Sequence, residues 1–417
     1  MPHDGSAIVS DILLLGARGF IGRHVARMLE LDGHRVVPAG RPEMDLARDT
    51  AMEAWVPRVA DFDVVINAAG IFREAGRQTF REVHVSGPTA LFGACARTGT
   101  KVVHFSALGA DANAVTEFHR ARRAADEALL ALDVPSMVLQ PSLVFGPDGA
   151  SARLFMASAS LPVIFLPGDG RQRIQPIHVD DVAAAVAAIV REDAFTRERV
   201  ALVGPRPTEM RAYLAALRGA LGLGKPRFIE VPRGMVAWAS RLRLGLLDQD
   251  ALSMLERGNV ADPAGAMRLL GRPPRQPGHF VPPETRESLR TWARLAWLAP
   301  VLRVAIAAVW LTAGVVSAGI YPVDESLELL ARVGLHGTLA SLALYGAAAL
   351  DFAIGLATLF MKRRRWLWAA QGVLILAYTA IITVALPEQW LHPFGAVVKN
   401  LPMLAGILLL HQLERDR

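Results

Sequence analysis

Apolar residues recur in two rhythms along this chain. From Ile12 to about Val144, short apolar runs at Ile12–Leu15, Arg35–Pro38, Val64–Asn67, Val102–Phe105 and Ser136–Leu139 alternate with helical stretches such as Arg23–Leu31, Gly87–Thr98 and His119–Leu132. Strand followed by helix, repeated, predicts a doubly wound parallel sheet of α/β Rossmann-like type, with helices on both faces. From Ala150 to about Pro283 the regularity weakens. Leu161–Leu166, the Gly168-Asp169-Gly170 turn and helical candidates at Ala212–Leu221 and Gly234–Leu244 predict a small substrate lobe over about 150–285. Arg272-Pro273-Pro274 and Val281-Pro282-Pro283 punctuate its end. The rhythm then changes to long apolar stretches at about Ala299–Ile320, Leu339–Met361, Trp366–Leu386 and Phe394–Leu413. Each has about the 20 residues needed to cross a hydrocarbon core of roughly 30 Å, which predicts an all-α four-helix transmembrane bundle. The expected division is residues 1–285 for the nucleotide domain and 286–417 for the membrane domain.

The first strand runs straight into Gly16-Ala17-Arg18-Gly19-Phe20-Ile21-Gly22. Three glycines at this spacing, between a strand and a helix, suit a pyrophosphate-binding turn. Gly16 permits the tight turn, Gly19 lets a phosphate approach the backbone, and Gly22 allows close helix–strand packing. The free N–H groups at the helix start then face the phosphates. The second strand ends in Gly40-Arg41-Pro42, where dinucleotide folds select the ribose. Arginine there favours a 2′-phosphate over a free hydroxyl, so Arg41, helped by Arg18 or Arg23, leans toward NADP rather than NAD. Asp45 is placed to contact the adenine side.

Composition narrows the partners. Hydrophobic residues make up 52% of the 417, and the excess sits after about Trp297, where spans are read. The formal charge of +6 comes without a basic run interleaved with aromatics, so nucleic-acid binding is not expected. Cys95 is the single cysteine, which excludes an intrachain disulfide and suits a reducing compartment. The polar first ten residues lack a signal core, so the nucleotide domain is expected to stay cytosolic. His178, Asp180 and Asp181 have no further ligand cluster beside them. They read as a helix cap, with Asp180 or Asp181 capping, and no metal site is expected.

On Gly16–Gly22, Asn67-Ala68-Ala69-Gly70 after a strand, Ser106, Gln140–Pro147 and Gln175–Val182, the first 290 residues or so resemble the extended or atypical branch of the short-chain dehydrogenase/reductase family. Its relatives include the nucleotide-binding accessory subunit of respiratory complex I and nucleotide-sugar epimerases. The resemblance implies cofactor contacts from Gly16, Arg18, Gly19, Phe20, Ile21, Gly22, Arg41, Asp45, Asn67, Ala68, Ala69, Gly70, Ser106, Arg122 and Pro141. The family's proton relay is a tyrosine with a lysine four residues on, one helical turn apart. Phe118 and Arg122 occupy those positions here, so the relay is absent as written, and Arg122 retains only a charge for the ribose. Ser106, His119 and Arg122 are the remaining catalytic candidates. His119 has a reference pKa near neutrality but lies about 100° round the helix from Phe118.

Charge orients the apolar half. Arg286, Arg290 and Arg294 precede the first stretch, Lys362-Arg363-Arg364-Arg365 joins the second to the third, and Arg415 and Arg417 follow the fourth. That side is expected to be cytosolic, with both termini, in the inner membrane. Tyr321–Ser326, Leu350-Asp351-Phe352, His392–Gly395 and Lys399–Pro402 are similar to the DoxX-like membrane family, some members of which are linked to quinone-coupled oxidation. Asp351, at mid-span, calls for a partner such as Lys399, Asn400, Gln371 or His336, and serves either a proton or quinone site or helix association. The combined reading is a membrane-anchored oxidoreductase acting on a quinone, isoprenoid or other lipophilic molecule. The competing one is a catalytically degenerate NAD(P)H sensor or assembly protein bound to a membrane partner.

Overall fold

The computed structural model describes residues 9–232, 234–235, 257–362, 364–391, 395 and 397–414. The chain forms two compact units, Met1–Ala293 and Arg294–Arg417. In the first, the strands β1 (Asp11–Leu15), β2 (Arg35–Ala39), β3 (Val64–Asn67), β4 (Lys101–Phe105) and β5 (Ser136–Pro141) fall where the apolar runs predict. The later strands are β6 (Val144–Phe145), β7 (Ile164–Pro167), β8 (Arg173–Ile174), β9 (Ile177–His178), β10 (Glu198–Leu202), β11 (Thr208–Glu209) and β12 (Phe228–Val231). The main sheet has the order β10-β5-β4-β3-β1-β2, and every pairing in it is parallel. β10 was not anticipated: Glu198-Arg199-Val200-Ala201-Leu202 is too polar to announce a strand, and its place is set by pairing with β5 at the sheet edge.

Helices α1 (Phe20–Leu31), α2 (Met52–Val59), α3 (Gly87–Thr98), α4 (Glu117–Ala131), α5 (Ala150–Ser160), α6 (Val179–Arg191) and α7 (Met210–Ala220) complete the unit. Successive side chains of β1 face opposite ways, as a strand requires. Ile12 and Leu14 join one buried cluster with Val25 and Leu29 of α1 and Val182 and Val186 of α6. Leu13 and Leu15 join another with Trp55 of α2 and Leu91 and Cys95 of α3. Cys95 is fully buried, and burial pushes its thiol up to about 12. Two crossover layers therefore grip one sheet, and its strand ends project between them.

The cap of α6 differs from expectation. His178 is the N-cap, and its Nδ1 accepts the Asp180 N–H at 3.2 Å. Asp181 is buried and takes Arg272 at 2.7 Å and the Arg275 N–H at 2.8 Å, while Asp180 takes Arg275 at 2.8 Å. Among the described residues no group of three or more metal-ligating side chains gathers. The smaller lobe is built from the pairs β6–β9, β7–β12 and β8–β11 with α5 and α7, around Phe145, Met156, Tyr213, Leu217 and Phe280. Most of the predicted helix at Gly234–Leu244 lies outside the described residues.

In the second unit, the helices Arg286–Val315 (which begins in the first unit), Gly337–Phe360 and Arg365–Ala385 are long and apolar enough to cross a membrane. The fourth apolar helix, Asn400–Leu413, has 14 residues. The predicted fourth stretch begins at Phe394, outside the described residues, as do Arg363, His392, Pro393, Arg415 and Arg417. Glycines let these helices meet: a Cβ on Gly314 would lie 2.7 Å from the Ala348 carbonyl oxygen, and one on Gly355 would lie 2.6 Å from Leu311. Trp310 Nε1 donates to Gln371 at 2.8 Å, and Gln371 in turn donates to Thr358 at 3.1 Å. Those bonds remove Gln371 as a partner for Asp351. Asn400 donates instead to Thr379 at 2.8 Å. Asp351 is buried, and its Oδ1 has no hydrogen-bond partner among the described residues.

Candidate nucleotide site

The glycine turn sits where the ends of three strands converge. Gly16 has φ +78°, a conformation glycine adopts without penalty, and its N–H donates to Ala39 O of β2 at 3.0 Å. A Cβ at Gly16 would lie 2.7 Å from the Ala68 carbonyl and the Ala69 nitrogen, just past β3. A Cβ at Gly22 would lie 2.1 Å from Gly16 O, so α1 can seat against the turn only with glycine there. Gly19 is exposed and is the N-cap of α1, with no side chain capping the helix. The first-turn N–H groups have no intrahelical acceptor. An uncapped, uncovered helix start beside a crowded glycine turn is a cradle that fits a pyrophosphate.

The surrounding candidates divide. Arg18 and Arg41 are exposed and, among the described residues, have no ion pair or hydrogen bond, and Arg41 lies two residues beyond the Ala39 carbonyl that receives Gly16. Arg23, the alternative helper, pairs with Asp148 at 2.6 Å. Phe20 turns its ring onto Gly146 and Gly149, where any Cβ would come within 2.8 Å of it. Ile21 packs on the core beneath the sheet. Asp45 accepts the Ala47 N–H at 3.0 Å and Gln78 Nε2 at 3.2 Å, so its carboxylate ties its own loop to the one that carries Gln78. Asn67 accepts the Ala69 N–H at 3.2 Å, which shapes the Ala68-Ala69-Gly70 bend. Pro141 ends β5, and its carbonyl takes the Leu108 N–H at 3.0 Å.

Around α4 the site is built from aromatics and one buried cation. Phe118 packs against Phe80 and His84, and stacks on Phe72 with centroids 5.3 Å apart. Phe72 is 83% exposed, so this cluster reaches the surface as an apolar lip. Arg122 is buried, donates to Phe105 O at 2.7 Å, and fills the space a Cβ on Gly70 would need. Burial draws its pKa down to about 10, leaving it charged at neutral pH. The His119 ring lies edge-on to Phe118 with centroids 5.3 Å apart; its Nδ1 lies 2.9 Å from Thr116 Oγ1, and its Nε2 lies beneath Gly109. Burial, then the Arg257 charge, lowers its pKa. Ser106 donates to Asp126 at 2.9 Å.

Asp126 and His104 are participants that the sequence reading did not single out. Asp126 is fully buried and also accepts Gln140 Nε2 at 3.0 Å; its other oxygen lies 3.7 Å from His104 Nε2. Burial raises it to about 6 against the hydrogen bonds from Ser106 and Gln140. The signal was present in the spacing, since Asp126 lies one turn after Arg122 on the same helix face. His84 is held near 3 by burial and by the Arg122 charge.

Residues 12–204 match the NAD dependent epimerase/dehydratase family, and residues 307–408 match the DoxX-like family. A ceramide reductase of Caulobacter vibrioides is 29% identical over 248 residues, covering 56% of this chain and 76% of that protein. The NADH dehydrogenase [ubiquinone] 1 alpha subcomplex subunit 9 of Arabidopsis thaliana is 25% identical, over 55% of this chain and 62% of that one. The chain therefore spans less than two thirds of the plant relative. Among solved structures, Pal from Bacillus thuringiensis superposes with TM-score 0.52 at 17% identity, over 69% of this chain and 99% of its own. A dTDP-glucose 4,6-dehydratase from Bacillus anthracis gives 0.50 at 17%, over 69% and 98%. These likenesses establish the Rossmann-like fold. The family match supports an NAD-type cofactor and a membrane-associated oxidoreductase, and the apolar helices with the DoxX-like match support a multi-pass membrane protein. The chain thus carries an epimerase-type, short-chain-dehydrogenase-like NAD-binding domain at its N-terminus and a DoxX-like domain at its C-terminus.

Proposed function

We propose that this protein is an NADP(H)-preferring reductase of a lipophilic carbonyl compound or quinone, working at the cytosolic face of the membrane. The observation that carries the reading is the exposed ring of Phe72, stacked on the buried Phe118, over whose ring the buried Arg122 also lies. A polar sugar nucleotide gains nothing from such a lip, whereas an acyl or isoprenoid chain buries apolar surface on it. The ceramide reductase likeness supports a long-chain substrate, and the apolar helices would keep the site close to a lipid pool.

The nicotinamide, when bound, supplies hydride. Gly16 and Gly19, with α1 seated close by Gly22, would hold the pyrophosphate through the backbone, and Arg41 with Arg18 would take the 2′-phosphate. Arg122 holds a positive charge beside Gly70, where it draws toward itself the negative charge developing on a reduced oxygen. Phe118 has no proton to give, so the proton that completes a carbonyl or quinone reduction comes from solvent at the lip. Turnover is then slow by the factor of about 10²–10⁴ that a positioned acid supplies.

A second reading is favoured by the same Phe118 and by the complex I subunit likeness: NADP(H) held without turnover, as a sensor or assembly element for a membrane partner. The test is NADPH and NADH oxidation by the full chain in detergent, with a short-chain quinone, an isoprenoid enone and a long-chain keto-amide, against Gly19→Val. Turnover with at least one acceptor, lost in Gly19→Val, supports the reductase. Nucleotide retained through purification without turnover on any acceptor refutes it in favour of the second reading.

A further inference from the structure

Within the second unit, one cluster of charged side chains is unbalanced. Arg303, in the middle of helix Arg286–Val315, pairs with Glu414, which follows Asn400–Leu413. Arg364, just before Arg365–Ala385, brings its Nε to 3.9 Å from the same carboxylate, and Trp368 Nε1 donates to it at 2.8 Å. Two guanidinium groups therefore share one carboxylate whose oxygens are already taken. The side chains are only 22%, 15% and 15% exposed for Arg303, Arg364 and Glu414. Arg303 Nε and both Nε and Nη1 of Arg364 are buried with no acceptor among the described residues. A buried charged donor without a partner is costly, and the surplus is one positive charge with several directed N–H groups. The cluster joins the start of one apolar helix and the end of another to Arg303, which lies four residues into the apolar stretch Ala299–Ile320; charged groups at such positions suit lipid headgroup depth.

We propose that Arg303 and Arg364 together bind the phosphate of an anionic phospholipid at this end of the helices. A phosphate diester offers two unesterified oxygens to the free guanidinium edges, a fork geometry that arginine matches and lysine does not. Glu414 then acts as a spacer that holds the two arginines apart and limits the site to one negative charge. The inference is independent of the nucleotide site.

The experiment uses the full chain, delipidated in a neutral detergent, with native mass spectrometry reporting retained lipid and thermal melting reporting stabilisation. Short-chain phosphatidylglycerol, phosphatidylcholine and inorganic phosphate are added in separate arms. Phosphatidylglycerol is expected to remain bound and to raise the melting temperature, with phosphatidylcholine retained at least about tenfold less. In Arg364→Gln, retention of phosphatidylglycerol falls by about tenfold or more, the loss of one charge-assisted contact. Glu414→Gln distinguishes a binding site from a structural bridge. It removes the competing carboxylate and is expected to retain phosphatidylglycerol as well as, or better than, the parent. Equal retention of the two lipids by the parent, or loss of retention in Glu414→Gln, overturns the proposal. The same melting shift with inorganic phosphate alone overturns the lipid assignment and leaves the site to the free ion.

Discussion

Replacing Asp126 by asparagine tests the buried network behind the candidate site. In the folded protein Asp126 is fully buried, and its carboxyl is raised from 3.8 to about 6, chiefly by burial. The folded state therefore holds more protons than the unfolded chain between those values. Stability contributed by the neutral acid is fully present below pH 3.8 and is lost as pH rises through about 6. A shift of about two units corresponds to about 3 kcal/mol across that window. Asparagine cannot ionise, so Asp126→Asn carries none of this dependence. Its own hydrogen-bonding cost is the same at every pH. The stability difference, variant minus parent, should then move by about 3 kcal/mol in favour of the variant between pH 3 and pH 7. For a unit of this size that is a relative shift of roughly 6–12 °C in melting temperature. The assay is thermal unfolding of the full chain in detergent at a series of pH values, followed by a probe of the α/β unit. Burial holds His84 and His104 well below their usual values, so their proton uptake in the folded state contributes little near neutrality. A difference that stays flat with pH, or that turns against the variant as pH rises, refutes the claim that Asp126 is a buried acid held neutral by its surroundings.

Other outcomes follow from single contacts. Arg41→Asp should weaken NADPH binding by tenfold or more relative to NADH in fluorescence titration, since a carboxylate repels a 2′-phosphate and suits a ribose hydroxyl. Phe118→Tyr combined with Arg122→Lys restores the missing acid and its partner, and should raise turnover on any accepted substrate by up to about 10²-fold, measured as NADPH oxidation. Gly314→Val drives a branched side chain toward the Ala348 carbonyl, 2.7 Å from the new Cβ, and should cost about 1–3 kcal/mol of stability in detergent, read as a lowered melting temperature with nucleotide affinity unchanged.

Much of the α/β unit was legible because its strands are buried on both faces. Runs such as Ile12–Leu15 and Val64–Asn67 must be nearly continuous in apolar residues, and glycine at 16 and 22 is forced by backbone contact. Strand β10 was not legible, since an edge strand needs only its partner and not an apolar run. Helix α2 was hidden for another reason: Pro57 lies inside it, where proline ordinarily argues against a helix. At the site, helix spacing put Phe118 and Arg122 one turn apart, and the Arg122 guanidinium lies over the Phe118 ring at 5.5 Å. It could not tell that Arg23 would be spent on Asp148, because that pair joins residues far apart in sequence and depends on how the loop after β6 returns to α1. Asp351 failed in the same way, since Gln371 and Asn400 found Trp310 and Thr379 instead.

The solitary sulfhydryl has a practical use. Cys95 is shut inside the α3 layer, and its acidity is too weak to yield thiolate at neutral pH, the species that maleimides attack. The native chain is therefore silent toward membrane-impermeant maleimides. One cysteine introduced at Asp324 and another, in a separate protein, at Lys362 can be interrogated in sealed vesicles without first removing the natural one. Opposite labelling of the two would assign sidedness to the apolar helices directly.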